Sequence, residues 1–414
     1  MRAEPIFIAL DEGAAYLLDR LHAAGHAAYA VGGCVRDSLL GLIPHDWDLC
    51  TSATPAEVLA LFGEEHCIPT GLQHGTVTIK SHGNLYETTT FRTEGAYSDG
   101  RHPDAVHFVP DVKEDLARRD FTINAMAYSA EEGLIDPFGG RADLAAGIVR
   151  AVGEPERRFE EDALRILRLY RFAARFGFAI DEATEAAAKQ LASRLDCVSA
   201  ERIEEELNKL LAAPQPGAYL EPEVLAFVLP ELPPEELTKA RRRIDALPAG
   251  TEQVSARWAA LLLPLGETGA RKALKRLKCS NARIDGTAAL VRECGEKTPD
   301  TLDKCDLRLQ AKRLLGKYDL HTVQQLTALW TALAPEEKAS FDVLRAEAEA
   351  LTAQGACCRI SQLAVNGRDL MEAGAAPGPG LRRELEALLE EVITGRLPNE
   401  KTELLAFAAG FSAS

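Results

Sequence analysis

AVGGCVRDSLLGLIPHDWDLC, residues 30–50, decides how the rest of the chain is read. The apolar run Ala28–Val31 predicts a strand, Gly32-Gly33 a turn, and Val35–Leu40 the start of a helix. Glycines let a backbone approach a ligand with no Cβ in the way. Amides at a helix start face an anion, and an arginine adds a fork of donors. Gly33 and Arg36 are therefore candidate phosphate contacts. Ten residues after Arg36, Asp46 and Asp48 flank Trp47. Side chains alternate along extended backbone, so both carboxylates point to one face and the indole to the other. Two hard oxygen donors so placed suit Mg²⁺ beside a nucleotide's phosphates. Turn and acid pair together predict phosphoryl transfer. No G-x-x-x-x-G-K-[ST] occurs, so a P-loop ATPase is not supported.

With 414 residues, 46% apolar and 27% charged, the chain has the composition of a multidomain globular protein. It contains no apolar run of membrane-spanning length. Its N-terminal stretch lacks a basic-then-apolar signal pattern, so a cytoplasmic location is expected. The nine cysteines form no C-x-x-C, which predicts reduced thiols and no structural zinc. His22 and His26 stand four apart, but Gly25 beside His26 reads as a helix end rather than a metal site.

A net charge of −16 argues against a polyanionic partner until its distribution is considered. Between Arg241 and Lys317, 17 lysines and arginines stand against 9 acids. Such a basic stretch binds RNA backbone with an affinity that falls as salt rises.

The first 150 or so residues mix strands and helices. Strands are predicted at Ala28–Val31, Asp46–Cys50, Thr76–Lys80, Tyr86–Arg92 and Val106–Val109. Turns are predicted at His82-Gly83-Asn84 and Ser98-Asp99-Gly100. Helices are predicted at Ile8–Ala24, Val35–Leu40, Pro55–Phe62 and Phe121–Ser129, the last capped by Asp120. Arg118-Arg119, just before that start, adds cationic charge where an anion is already favoured. Past residue 154 strands give way to helical spacing alone. The resulting fold class is α+β, with a mixed head and an all-helical remainder.

A second constellation lies in EEDALRILRLYRFAARFGF, residues 160–178. On a continuous helix Asp162 and Arg165 would be neighbours on one face. A carboxylate accepts hydrogen bonds and an arginine donates them. That pair complements cytosine and adenine and mispairs with uracil and guanine, at roughly 1–3 kcal/mol per buried mismatch. Arg168 and Arg171 would then grip triphosphate or ribose.

GGCVRD…DWDLCTSATPAEV, ETTTFRTEGAYSDGRHPDAV, RRDFTINAMAY, DPFGGRADL and EEDALRILRLYRFAARFGF resemble, in order, the motifs of bacterial class II CCA-adding tRNA nucleotidyltransferases of the DNA polymerase β-like superfamily. The stretch VNGRDLMEAGAAPGPGLRRELEALLEEVITGRLPNEKTELL is similar to the tail of the Gram-positive type. The resemblance implies a nucleotidyltransferase head with a small mixed or antiparallel sheet (residues 1–152). A helical neck that reads the base (153–213), a helical body (214–300) and a helical tail that binds tRNA (301–414) would follow. It implies addition of C, C and A to the tRNA 3′ end from CTP and ATP, with pyrophosphate released. Asp46 and Asp48 would hold Mg²⁺, with Glu87 the candidate third carboxylate. Gly33, Arg36 and Arg119 would contact the nucleotide, Asp162 and Arg165 the base edge, and Arg168 and Arg171 the rest of the nucleotide site. Body and tail would clamp the acceptor and T-arm half of tRNA. Poly(A) polymerases and partial CC- or A-adding enzymes are the alternatives. TEGAYSDGRHPDAV resembles the family's flexible loop, whose loss accompanies CC-only activity, so its presence favours full CCA addition.

Overall fold

The computed structural model describes residues 6–95, 106–296 and 306–410. The chain divides into two compact units, Met1–Pro230 and Glu231–Ser414.

In the first unit the elements run β1 (Ala28–Val31), β2 (Leu49–Thr51), β3 (Cys67–Gly71), β4 (Thr76–Ser81), β5 (Asn84–Thr90), β6 (Arg92–Glu94), β7 (Val106–Phe108), β8 (Ala127–Ser129), β9 (Gly133–Ile135), β10 (Ile148–Val149) and β11 (Ala179–Ile180). Among them lie α1 (Glu12–Ala23), α2 (Gly33–Leu39), α3 (Pro55–Phe62), α4 (Val112–Ala117), α5 (Gly140–Ala146), α6 (Pro155–Glu161), α7 (Leu164–Phe176), α8 (Glu182–Gln190), α9 (Ala200–Leu211) and α10 (Pro222–Val228). The main sheet has the order β3-β4-β5-β2-β1-β8-β9. It is mixed: β2 and β5 run parallel, while β1 pairs antiparallel with both β2 and β8. The α+β expectation holds.

Local chemistry explains why the elements stop and start where they do. Asp11 caps α1, its Oδ1 accepting the Ala14 N–H at 2.7 Å, and Thr54 and Glu57 close a reciprocal capping box on α3. All four residues of β1 are buried, and Tyr29 and Val31 join Cys50, Phe91, Leu116 and Ala127 in the core behind the site. Burial of this kind, about 25 cal/mol per Å² of apolar surface, holds the short central strands in place.

Two expectations are corrected. Phe121–Ser129 is not a helix: a single 3₁₀ turn, Thr122–Asn124, leads into β8. The run from Phe121 to Tyr128 is buried throughout, and Tyr128 pairs with Ala30. Sheet pairing therefore wins over helix propensity. Strands also do not end at residue 154, because Ala179–Ile180 pairs parallel with Ile148–Val149. The Ser98-Asp99-Gly100 turn and residues 96–105 of the loop resemblance lie outside the described residues.

The second unit is helical among its described residues: α11 (Leu237–Asp245), α12 (Val254–Leu262), α13 (Gly266–Arg276), α14 (Asn281–Glu296), α15 (Leu307–Lys317), α16 (Leu320–Leu333), α17 (Lys338–Ala353), α18 (Gly367–Glu372), α19 (Pro379–Ile393) and α20 (Lys401–Ala408). Trp258, Trp330 and Phe341 fill part of its core, while Leu370, Leu388, Val392 and Leu404 form another cluster. No helix among the described residues is long and apolar enough to cross a membrane.

Candidate active site

The diglycine turn sits beside the acid pair because the backbone ties them together. The Val31 N–H donates to the Asp48 carbonyl at 2.9 Å, and the Gly32 N–H donates to the Met126 carbonyl at 3.1 Å. Gly32 has φ +79°, a conformation costly to any residue with a Cβ. A Cβ there would also lie 2.9 Å from Nη1 of Arg119, so that guanidinium packs directly over the turn.

Asp46 and Asp48 are exposed and Trp47 between them is buried, as the alternation predicts. They precede β2 instead of lying within it. Asp48 stands one residue before the Leu49–Thr88 pair of the parallel β2–β5 ladder, so Glu87, also exposed, is its neighbour across the ladder. The Asp48 carboxyl is pushed above the usual carboxylate range. Loss of water around it is the largest cause, although the residue keeps an exposed edge. Arg119 opposes the shift, and the charges of Glu87 and Asp46 add to it. Three carboxylates thus crowd one edge of the sheet, where a cation would relieve their repulsion.

Among the described residues no three His, Cys, Asp or Glu side chains close around an ion unaided. Mg²⁺ does not require such a cage, since it is held by one or two carboxylates, substrate phosphates and water. The all-oxygen donor set fits that ion.

Arg119 reaches the site from the end of α4. One of its terminal nitrogens lies 3.4 Å from Asp115, and its Nε is buried without a hydrogen-bond partner. Arg36 is placed differently from the sequence expectation. It is only 3% exposed, bonded to Asp37 through Nε and Nη2 and to the Asn124 amide oxygen through Nη1. Its plane lies 5.2 Å from the Phe172 ring centre and 4.9 Å from that of Phe176. Arg36 is therefore a buried tie between α2 and α7, not a fork open to phosphate.

The pairing of Asp162 with Arg165 on one helix is also corrected. Asp162 ends α6 in extended conformation, and its Oδ1 accepts the Leu164 N–H at 3.0 Å, starting α7. Short acidic side chains favour such backbone capping over continuing a helix. Asp162 is gripped by both terminal nitrogens of Arg202 on α9, at 3.3 and 2.8 Å. Arg165 turns the other way, to Glu161 at 2.8 Å and to the Arg118 and Arg158 carbonyls.

Further along α7, Arg168 forks onto Asp120 at 2.8 and 2.6 Å, Arg171 bonds Glu206 at 2.5 Å, and Arg175 bonds Asp37 at 3.0 Å. The Asp120 carboxyl is held well below its usual range. Burial alone would raise it, but the Arg168 charge and the Asn124 amide override that. Asp120 also accepts the Phe121 N–H, in place of capping a helix. Arg202, Glu206, Asn124 and Asp37 escaped the sequence reading because each has a partner far away in the chain: Asp162, Arg171, Arg36 and Arg175 respectively.

Family models match successive parts of the chain. The Poly A polymerase head domain family matches residues 28–150, and the tRNA nucleotidyltransferase domain 2 family matches residues 250–408. The CCA-adding enzyme of Latilactobacillus sakei is 41% identical over 402 residues, covering 95% of this chain and 96% of that one. The chain belongs to the CCA-adding enzyme family. A second relative in this family, from Geobacillus stearothermophilus, is 37% identical and covers 94% and 95% of the two chains. The crystal structure of the Bacillus stearothermophilus CCA-adding enzyme in complex with CTP superposes with a TM-score of 0.80, at 34% identity and 97% coverage of both chains. Members of this family are tRNA nucleotidyltransferases, and this chain is one of them.

In the second unit much of the basic stretch is consumed internally. Arg276 forks onto Glu231 at 2.7 and 2.8 Å, Arg271 bonds Glu267 and Asp285, and Arg313 bonds Glu390. Arg242, Lys272 and Lys275 remain exposed.

Proposed function

We propose that this chain adds C, C and A to the 3′ end of tRNA from CTP and ATP, releasing pyrophosphate, with the head and neck residues in the following roles. Asp46, Asp48 and Glu87 hold divalent metal, Mg²⁺ by the hardness of their oxygens. When bound, the metal lowers the pKa of the attacking 3′-hydroxyl and neutralises charge on the leaving pyrophosphate. The Gly32-Gly33 turn admits the triphosphate close to the backbone, and Arg119 adds positive charge between that turn and Asp48. In-line placement at this edge supplies the proximity on which phosphoryl transfer depends.

Asp162 and Arg165 read the base. The carboxylate accepts from the exocyclic amine of cytosine or adenine, and the guanidinium donates to the ring nitrogen. To do so they exchange contacts with Arg202 and Glu161 for contacts with the base. Uracil or guanine offers a carbonyl to a carboxylate and an N–H to an arginine, and is rejected. Arg168 and Arg171 line the remaining nucleotide site. The division into head (1–152), neck (153–213), body (214–300) and tail (301–414) assigns tRNA binding to the last two, where Lys272 and Lys275 offer exposed charge to phosphate. A site of action in the cytoplasm follows from the substrate.

The observation that carries this reading is the match to CCA-adding enzymes along nearly the whole chain. A head shared with poly(A) polymerases would serve adenylate addition equally well. The test supplies CTP, ATP, UTP and GTP with tRNA lacking its 3′ end and sequences the products. Addition of C, C and A, and then arrest, is the expected result. An adenylate homopolymer would overturn the reading.

A further inference from the structure

The neck arginine Arg168 and the diglycine turn come from different elements, yet a continuous line of buried polar contacts joins them. Arg36 sits one turn into the helix that starts at Gly33. Its Nη1 donates to Oδ1 of Asn124 at 2.5 Å, and Nδ2 of Asn124 donates to Oδ1 of Asp120 at 3.0 Å. The other Asp120 oxygen takes the Arg168 fork. Arg36, Asn124 and Asp120 are 3%, 6% and 8% exposed, whereas the Arg168 side chain keeps 34% of its surface open. The line thus begins inside the head and ends on an arginine whose side chain is partly open to solvent.

Asn124 is the one uncharged member, and its chemistry leaves no freedom. Its oxygen faces a cation and its amine faces a carboxylate, so the amide has a single workable orientation. Its backbone carbonyl also lies 3.8 Å from where a Gly32 Cβ would stand, so the same residue lines the turn. Arg36 cannot drift to compensate. Asp37 holds two of its nitrogens, and the Phe172 and Phe176 rings lie against its face.

We infer that Asn124 is a positioning residue for nucleotide binding: it fixes the Arg168 fork through Asp120 and ties that fork to the diglycine turn through Arg36. The inference rests on the proposed nucleotide site. Asn124 touches no substrate. It holds Asp120 at the angle that presents Arg168, and such supporting contacts decide whether a binding group is held within a fraction of an ångström. A carboxylate at this position would keep the bond to Arg36 but set two negative oxygens face to face at Asp120.

A double-mutant cycle tests it. Wild type, Asn124→Ala, Arg168→Ala and the double variant are titrated with CTP and with ATP in the presence of Mg²⁺, and assayed for tRNA extension. Asn124→Ala alone is expected to raise the nucleotide Kd and KM about tenfold, with kcat changed less than about threefold. In the Arg168→Ala background the same substitution is expected to add less than about twofold. Asn124→Asp, equal in size, is expected to lose at least as much as Asn124→Ala, and it stands in should the alanine variant not fold. Independent, multiplicative effects in the cycle, or an aspartate variant that binds CTP normally, would overturn the inference. A wild-type chain that binds CTP but leaves tRNA unextended counts against the proposed function alone. A multiplicative cycle in a chain that does extend tRNA counts against Asn124 alone.

Discussion

The acidic edge of the head and the arginine helix of the neck belong to one compact unit, and they handle charge in opposite ways. Asp46, Asp48 and Glu87 stand exposed and side by side, with Arg119 opposing their effect on the Asp48 carboxyl. Along α7 and its surroundings, by contrast, Asp120 is paired with Arg168, Glu206 with Arg171, Asp162 with Arg202 and Glu161 with Arg165. Like charges held together store a demand for a cation. Opposite charges held together store geometry, since a paired guanidinium is already oriented before a ligand arrives. Under the proposed function, the head acquires charge and the neck exchanges partners.

The largest expected effect comes from emptying the acidic edge. Asp46→Ala or Asp48→Ala should reduce incorporation of both CMP and AMP by about 10³-fold or more, because the metal's share of transition-state stabilisation is several kcal/mol. Binding of tRNA, measured separately, should survive. A variant that still extends tRNA at the normal rate would break the contrast at its root. Arg165→Ala should act differently: metal-dependent extension continues, while discrimination against UTP and GTP falls about ten- to hundredfold, the value of one mispaired buried group. Unchanged discrimination in competition assays would deny the neck its reading role.

Acid should separate the two regions as well. The Asp120 carboxyl titrates below its unfolded value of about 3.9. Its stabilisation is therefore fully present above about pH 4 and is lost as pH falls through the lower folded value. Urea midpoints followed from pH 7 down to pH 3 should drop on this acid limb, and Asp120→Asn should flatten the drop. It should also lower stability by about 1–3 kcal/mol at neutral pH, because it leaves Arg168 with only the more distant Glu206, 4.0 Å away, as a buried carboxylate partner among the described residues. A parallel acid limb in the variant would show that the pair is not what acid breaks.

The two regions were not equally legible in the sequence. The acidic edge was, because alternation is a period of two residues and DWDL needs only an extended backbone to present both carboxylates. Adding Glu87 requires the β2–β5 register, which no local pattern specifies. In the neck, helical periodicity over residues 164–176 was plain, but the break at Asp162 was not. Its capping bond to Leu164 is local, but its grip by Arg202 depends on a residue 40 positions away. Arg36 misled for the same reason. An arginine after a diglycine reads as a phosphate ligand, but the packed rings of Phe172 and Phe176, the Asn124 amide and the Asp37 carboxylate draw it inward. Local spacing reports which groups are present. Long-range partners decide which of them remain free to act.

The smallest effect tests whether that distinction between occupied and open charge extends to the second unit. Lys272, Lys275 and Arg276 lie within one helix and all are basic, so sequence alone ranks them equally. All three are exposed, but Arg276 has both arms on Glu231, whereas the two lysines make no hydrogen bond or salt bridge among the described residues. Each exposed cation that meets RNA phosphate releases about one counterion, so its loss should lower the slope of log K against log salt by about one. Lys272→Ala and Lys275→Ala should therefore each weaken tRNA binding about two- to fourfold at moderate salt and flatten the salt dependence. Arg276→Ala should leave that slope as it was, because its charge is already balanced by a carboxylate and no counterion is displaced from it. If Arg276→Ala flattens the slope as much as the lysine variants do, the ion pair with Glu231 opens to receive RNA, and the second unit works by exchange of partners, as the neck does.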